Sequence, residues 1–135
     1  MSAAEAEPNT PQGEIALRLV PQPSDLNHSG KVHGGWVLYN MDVAGGLYAR
    51  LLTRQRVTTV AVEGMTFLKP IDVGDEVTFY TRTGRIGRTS LAVIIEIWVR
   101  KPNEQKGLVQ VTSGTFIFVA VSQDGRPVPL TINLA

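Results

Sequence analysis

Few side chains in this chain of 135 residues are placed to do chemistry, and those few cluster. Asp42 stands inside a run of apolar and small residues, VLYNMDVAGGLYARLL. A carboxylate in such company must be paired, or its pKa must move. No Lys or Arg lies one helical turn away, and Arg50 is about two turns on. Two readings stand. Asp42 is a structural acceptor for a backbone group or Asn40, or it faces something that approaches the helix closely. Gly45 and Gly46 favour the second, because each mid-helix glycine costs roughly 1 kcal/mol relative to alanine. A second cluster is Arg82, Arg85 and Arg88, followed by Thr89 and Ser90 in a turn that carries Gly84 and Gly87. That pattern suits an anion, although an ordinary solvated hairpin turn has the same composition. The two histidines, His28 and His33, lie too close together in one loop to make a metal site, and none is expected.

The composition narrows the function. At 135 residues the chain is one domain with room for a core. Its net charge of +1 argues against nucleic acid or a membrane surface as a partner held by bulk charge. It has no cysteine, which excludes thiolate catalysis and cysteine metal sites and fits a cytoplasmic protein. No run of 18 apolar residues is long enough to span a bilayer, and the N-terminus lacks the apolar stretch of a secretory signal.

The elements that must position these residues follow from periodicity. Residues 1–12 read as a disordered arm, 13–130 as the domain and 131–135 as a tail. Glu14 to Val20 alternates and predicts a short strand. Val37, Met41, Ala44, Tyr48 and Leu51 recur at helical steps, and the opposite side is apolar as well, which predicts a long buried helix with Asp42 inside it. It ends near Arg50–Arg54. Val57 to Leu68 predicts a strand, with Gly64 marking a bulge or a close backbone approach. Glu76 to Thr83, Thr89 to Arg100 and Leu108 to Val121 predict three more, with a tight turn at Gly84–Gly87 and a kink at Gly114. Short connections favour antiparallel neighbours, so one helix must sit in a curled five-stranded sheet, an α+β fold. One helix covers little of such a sheet, and a second copy is expected to complete it.

The order of elements resembles the hotdog fold, a curved antiparallel sheet wrapped around one central helix. Asn27-(x)2-Gly30-(x)3-Gly34-Gly35-Trp36-(x)4-Met41-Asp42 resembles the acyl-CoA thioesterases of the YciA type, which are related to the cytosolic acyl-CoA hydrolases. Val62-Glu63-Gly64-Met65-Thr66-Phe67-Leu68, Gly87-(x)-Thr89-Ser90 and Ile95-Glu96-Ile97-Trp98-Val99 follow in the same order. The likeness runs from about Gly13 to Pro129. It implies hydrolysis of an acyl-CoA to a free acid and coenzyme A, in a site between two subunits. Asp42 is then the general base on water or a nucleophile, and Asn27 assists from the neighbouring subunit. The resemblance also implies a homodimer as the active unit, assembled to a homohexamer, with coenzyme A present only as part of the substrate and no other cofactor.

Physical chemistry supports these roles. Backbone N–H groups at a helix start, where Gly34 and Gly35 stand, stabilise the oxyanion of an attacked thioester. Asp42 is seven residues past Gly35, roughly 10 Å along the axis, too far for one carbonyl to touch both in one chain. A water, or a second subunit's helix start, closes that gap. Coenzyme A carries phosphates, and Arg88, Thr89 and Ser90 are the expected contacts, with Gly64 and Met65. Arg100 and Lys101 are weaker candidates. His33 is expected to line the site, Trp36 to lie in the core or an acyl-pocket wall, and Glu63 and Glu96 to be outward or hydrogen-bonded groups. Competing readings are a hotdog enoyl-thioester hydratase or dehydratase, using His33 with Asp42, and a non-catalytic acyl-CoA sensor.

Overall fold

A computed structural model describes residues 10–104 and 107–132. Strand β1 spans Glu14–Leu19, helix α1 Gly34–Thr53, β2 Val57–Phe67, β3 Glu76–Ile86, β4 Ser90–Arg100 and β5 Val109–Ala120. A short 3-10 turn, Pro23–Asp25, precedes the helix. The strands form one antiparallel sheet in the order β1-β3-β4-β5-β2, with the single long helix packed on it. The expected α+β hotdog architecture is the one observed. Of the arm read at 1–12, residues 1–9 lie outside the described residues, as do 133–135 of the tail. The rest of the tail is fastened: Leu130 N–H donates to the Arg88 carbonyl at 2.9 Å and Thr131 N–H to Gln55 Oε1 at 2.9 Å.

The core follows from β4, the central strand. Leu91, Val93, Ile95, Ile97 and Val99 alternate along one face, and all are buried. They meet Val37, Met41, Ala44 and Ala49 of α1, with Phe79, Phe116 and Phe118 from the flanking strands. Gly45 explains how closely the helix seats. A Cβ there would stand 2.9 Å from the Phe118 ring and 3.0 Å from Ile95 Cδ1, below van der Waals contact. So the close approach that the glycine pair signals comes, at Gly45, from the sheet's own side chains. Gly46 has room: its nearest neighbour would be 3.7 Å away.

Three expectations need correction. The helix is buried on one side only. Tyr39 is 69% exposed, Leu51 63%, and Asp42 is half-buried, because the sheet covers one face and leaves the other apolar face open. The turn expected at Gly84–Gly87 lies later, because the ladder with β4 carries β3 on to the pair Ile86↔Leu91. Gly114 is no kink. It pairs with Ile95 in a regular stretch, and its missing side chain leaves room for Met65, whose sulfur would lie 2.4 Å from an added Cβ. The irregularity is opposite, in β2: the register shifts between Glu63 and Thr66, and Gly64 takes φ +62°. This is the bulge expected at Gly64.

Strand β2 is an edge. Val60, Val62 and Phe67 are exposed along it, and beyond it no strand pairs with it among the described residues. A long apolar edge strand is a template for another chain. The packing yields a paired test. Gly45→Ala should lower stability by about 1–3 kcal/mol through overpacking. Gly46→Ala should leave it unchanged or raise it by up to about 1 kcal/mol. Urea unfolding of the two variants beside wild type checks both.

Candidate active site

Asp42 sits in the middle of α1, on the half-open face toward β2. Its Oδ1 accepts a hydrogen bond from Thr59 Oγ1 at 2.5 Å. The two residues share a cleft of about 290 Å³ with Val43, Gly46, Leu47, Arg50, Val57 and Phe118. The carboxylate is therefore held by one short contact and otherwise faces an open, largely apolar groove. Asn40 is not its partner, because the Asn40 amide donates to the Trp36 carbonyl at 2.9 Å. Thr59 was not legible in the sequence, since threonine is an ordinary strand residue. A register shift between Thr59 and Ala61 follows directly after it, and such irregularities re-aim neighbouring side chains.

The other end of the helix carries the remaining candidates. Gly34 and Gly35 are exposed in its first turn, so their backbone is open to a ligand. His33 is the N-cap and makes no side-chain cap bond; it is exposed. Asn27 organises the loop before it. Its Oδ1 accepts from the Ser29 N–H at 2.8 Å and the Lys31 N–H at 3.2 Å, and its backbone N–H donates to the Lys31 carbonyl at 2.7 Å. The side-chain Nδ2 makes no hydrogen bond among the described residues. Trp36 packs on the core, 6.3 Å from the Phe79 ring. A second, apolar cleft of about 360 Å³ opens here, between Val32, Gly34 and Val37 on one side and Phe67 to Ile71 on the other.

The arginine cluster divides. Arg82 Nη1 donates to Glu96 Oε2 at 2.5 Å, and Trp98 Nε1 donates to Glu96 Oε1 at 2.8 Å, so Glu96 is a fully engaged, buried carboxylate. Arg85 faces Glu63 at 3.7 Å. The readings of Glu96 and Glu63 as hydrogen-bonded or outward groups agree with this placement. Arg88 is exposed and makes no ion pair among the described residues. Its turn lies at the Asp42 end of the molecule: Ser90 pairs with Val119, and Val119 with Thr58. Gly64 and Met65 lie toward the Phe67 end of β2, and the Met65 side chain turns inward against Gly114 and the core. Only the backbone of that pair faces outward.

The candidate residues thus fall into two groups at the two ends of β2. Asp42, Thr59 and the Arg88–Ser90 turn lie at one end, and Asn27 and the helix start at the other.

An ionic chain fixes the connection between β2 and β3, beside the helix start. Lys101 Nζ donates to Asp75 Oδ2 at 2.6 Å and to Asp72 Oδ2 at 2.8 Å, while Lys31 Nζ donates to Asp72 Oδ1 at 3.0 Å. Asp75 is 1% exposed. Thus Lys101, a weaker coenzyme A candidate, is engaged within the fold, and Arg100 pairs with Glu76 at 3.4 Å. The hydrogen bond from Lys101, then that from Lys31, holds the Asp72 carboxyl below its ordinary value of 3.8. Burial pulls the Lys101 ammonium down, but its bonds to Asp72 and Asp75 more than offset this and leave it above its ordinary 10.5. Stability from Asp72 is therefore present above the ordinary carboxylate range and lost as pH falls through the lowered value. Stability from Lys101 is present below its ordinary value and lost as pH rises through the raised one. Lys101→Met leaves the Asp72 and Asp75 carboxylates without their shared cation and should cost about 3 kcal/mol at neutral pH. The loss relative to wild type should shrink in acid, as chemical denaturation across pH would record.

Comparison with known proteins identifies the family and the fold. The thioesterase superfamily matches residues 29–106. The acyl-CoA thioester hydrolase YciA of Salmonella typhimurium is 45% identical over 129 residues, 93% of this chain and 96% of that protein. The structure of the hexameric thioesterase y2039 from Yersinia pestis superposes with TM-score 0.86 at 40% identity, over 92% of this chain and all of that one. Cj0915, a hexameric hotdog fold thioesterase of Campylobacter jejuni, superposes with TM-score 0.82 at 34% identity, over 88% of this chain and 91% of that one. With the helix, the sheet order and these likenesses together, the chain belongs to the thioesterase superfamily, in the family of the YciA acyl-CoA thioester hydrolases.

Proposed function

We propose that this protein hydrolyses acyl-CoA thioesters in a site built by two copies of the chain. The observation that carries the two-copy site is the division of its residues between the ends of an unpaired edge strand. Thr59 and Phe67 are eight residues apart on β2, roughly 26 Å at ~3.3 Å per residue. Glu63 stands midway between them. Antiparallel pairing of two β2 strands centred there sets the Asp42–Thr59 end of one protomer against the helix start of its partner. It also covers Val60, Val62 and Phe67 and satisfies the edge. The family likeness favours hydrolysis over the hydratase and sensor readings, and three such dimers would give a hexamer like the two solved relatives.

Asp42 takes a proton from water as the water oxygen adds to the thioester carbon, or adds there itself. The partner's backbone N–H at Gly35 receives the developing oxyanion, and the partner's Asn27 amide donates beside it. Collapse breaks the carbon–sulfur bond. The sulfur leaves as the coenzyme A thiolate, which takes up a proton. On the water route the acyl group is released directly as the carboxylic acid. On the nucleophile route it stays on Asp42 as a mixed anhydride until water hydrolyses it to the free acid and restores the carboxylate. Arg88, Thr89 and Ser90, at the Asp42 end, meet the phosphates, with the Gly64–Met65 backbone along the path. Coenzyme A enters as substrate, and no further cofactor is proposed. The cytoplasm is the proposed location, since a multiply charged thioester does not cross a bilayer unaided.

Release of free thiol from a panel of acyl-CoAs tests this. Asp42→Asn should lose about 100-fold or more in kcat. Thr59→Val, which frees the carboxylate to rotate, should lose about tenfold. Arg88→Met should raise KM for acyl-CoA severalfold, and not for the acyl-pantetheine thioester that lacks the nucleotide. No thiol release by wild type from any substrate would refute the hydrolase, and full activity of Asp42→Asn would make that residue structural.

A further inference from the structure

The apolar cleft at the start of α1 has walls from two separate segments. One is the loop and first turn, with Val32 and Val37; the other is the β2–β3 connection, with Phe67, Leu68, Pro70 and Ile71. Among the described residues only two polar links cross between these segments. One is a long backbone hydrogen bond, Val32 N–H to the Ile71 carbonyl at 3.3 Å. The other is the Lys31–Asp72 ion pair at 3.0 Å. The second wall is rigid, because Asp72 and Asp75 are both held by Lys101. The first wall is not fastened in that way. Lys31 is its only charged tie among the described residues, and both partners of that pair are about half exposed.

We propose that this cleft takes the acyl chain and that the Lys31–Asp72 pair is a latch across it that sets its width, and so the chain length accepted. The inference rests on the acyl-CoA hydrolase reading and adds a specificity-determining residue to it. The cleft adjoins the helix start, where the thioester carbonyl is polarised. It is walled mostly by hydrocarbon, with Lys69 and Thr112 as the polar residues of its lining, and its volume of about 360 Å³ falls in the range of small-ligand pockets. A closed latch holds the loop against Ile71 and narrows the cleft. An open latch lets the loop swing out and admits longer chains. An exposed pair is weak, and weakness suits it here, since it biases a loop without carrying the fold. The pair is also open to screening by salt.

The test is kcat/KM for butyryl-, hexanoyl-, octanoyl- and decanoyl-CoA in wild type, Lys31→Met, Lys31→Arg and Leu68→Trp. Lys31→Met leaves the Lys101–Asp72–Asp75 contacts in place. It should raise the decanoyl-to-butyryl ratio by about fivefold, near the most that an exposed pair can shift a population. Lys31→Arg should keep the wild-type ratio. Raising salt from about 0.05 M to about 0.5 M should move wild type toward Lys31→Met and leave that variant unmoved. Leu68→Trp, on the exposed rim, should lower the ratio. Normal wild-type turnover with the same ratio in Lys31→Met overturns the latch, and an unmoved ratio in Leu68→Trp overturns the cleft as the acyl site. Absence of turnover by wild type on every substrate would overturn the hydrolase reading and this inference with it.

Discussion

The unpaired edge of β2 is the constraint on which the rest depends. A strand of eleven residues with exposed valines and a phenylalanine leaves a row of backbone donors and acceptors without protein partners. The same strand separates the chemistry. Its first turn-end holds Thr59 against Asp42, and its far end meets the helix start across the apolar cleft. On the proposed reading, the base and the oxyanion donors of one chain stand seven residues apart along the helix, roughly 10 Å at ~1.5 Å per residue. In the proposed dimer, pairing two edges would remove the exposed backbone and bring opposite halves together, which makes assembly and catalysis one geometric problem.

Within the protomer, close packing sets the site's precision. The helix can lie low on the sheet because Gly45 offers no Cβ to Phe118, and Phe118 in turn floors the Asp42 groove. The bulge at Gly64 lets Met65 turn inward against Gly114 while its backbone stays on the outer edge. The ionic chain from Asp75 through Lys101 and Asp72 to Lys31 reaches the loop that Asn27 organises. Small residues permit the approach, and charged ones fix the β2–β3 connection and lightly tie the Asn27 loop to it.

Much of this was legible in the residues. The alternation from Leu91 to Val99 names the central strand because composition and period agree. The glycine in VEGMTF marks the bulge because a left-handed residue inside a strand has few other uses. The burial of Asp42 was not legible. A helix apolar on all sides looks the same whether its own sheet or a second subunit covers the far face, and here its own sheet covers only one. The pairing of Arg82 with Glu96 was hidden for another reason: the partners are fourteen residues apart and meet only through the β3–β4 register. Thr59 was hidden because its role depends on which way the strand turns it, and local irregularity decides that.

The central claim is that Asp42 of one chain works with the helix-start loop of another. Co-expression of two inactive variants tests it most directly, using Asp42→Asn in one chain and Asn27→Asp in the other. The second keeps the oxygen that accepts from Ser29 and Lys31 and replaces the amide donor with a negatively charged carboxylate oxygen. In a mixed dimer one site carries both changes and the other carries neither. Random pairing should therefore restore about a quarter of wild-type activity. A mixture as inactive as its two parents would place Asp42 and Asn27 in the same chain's site and contradict the account.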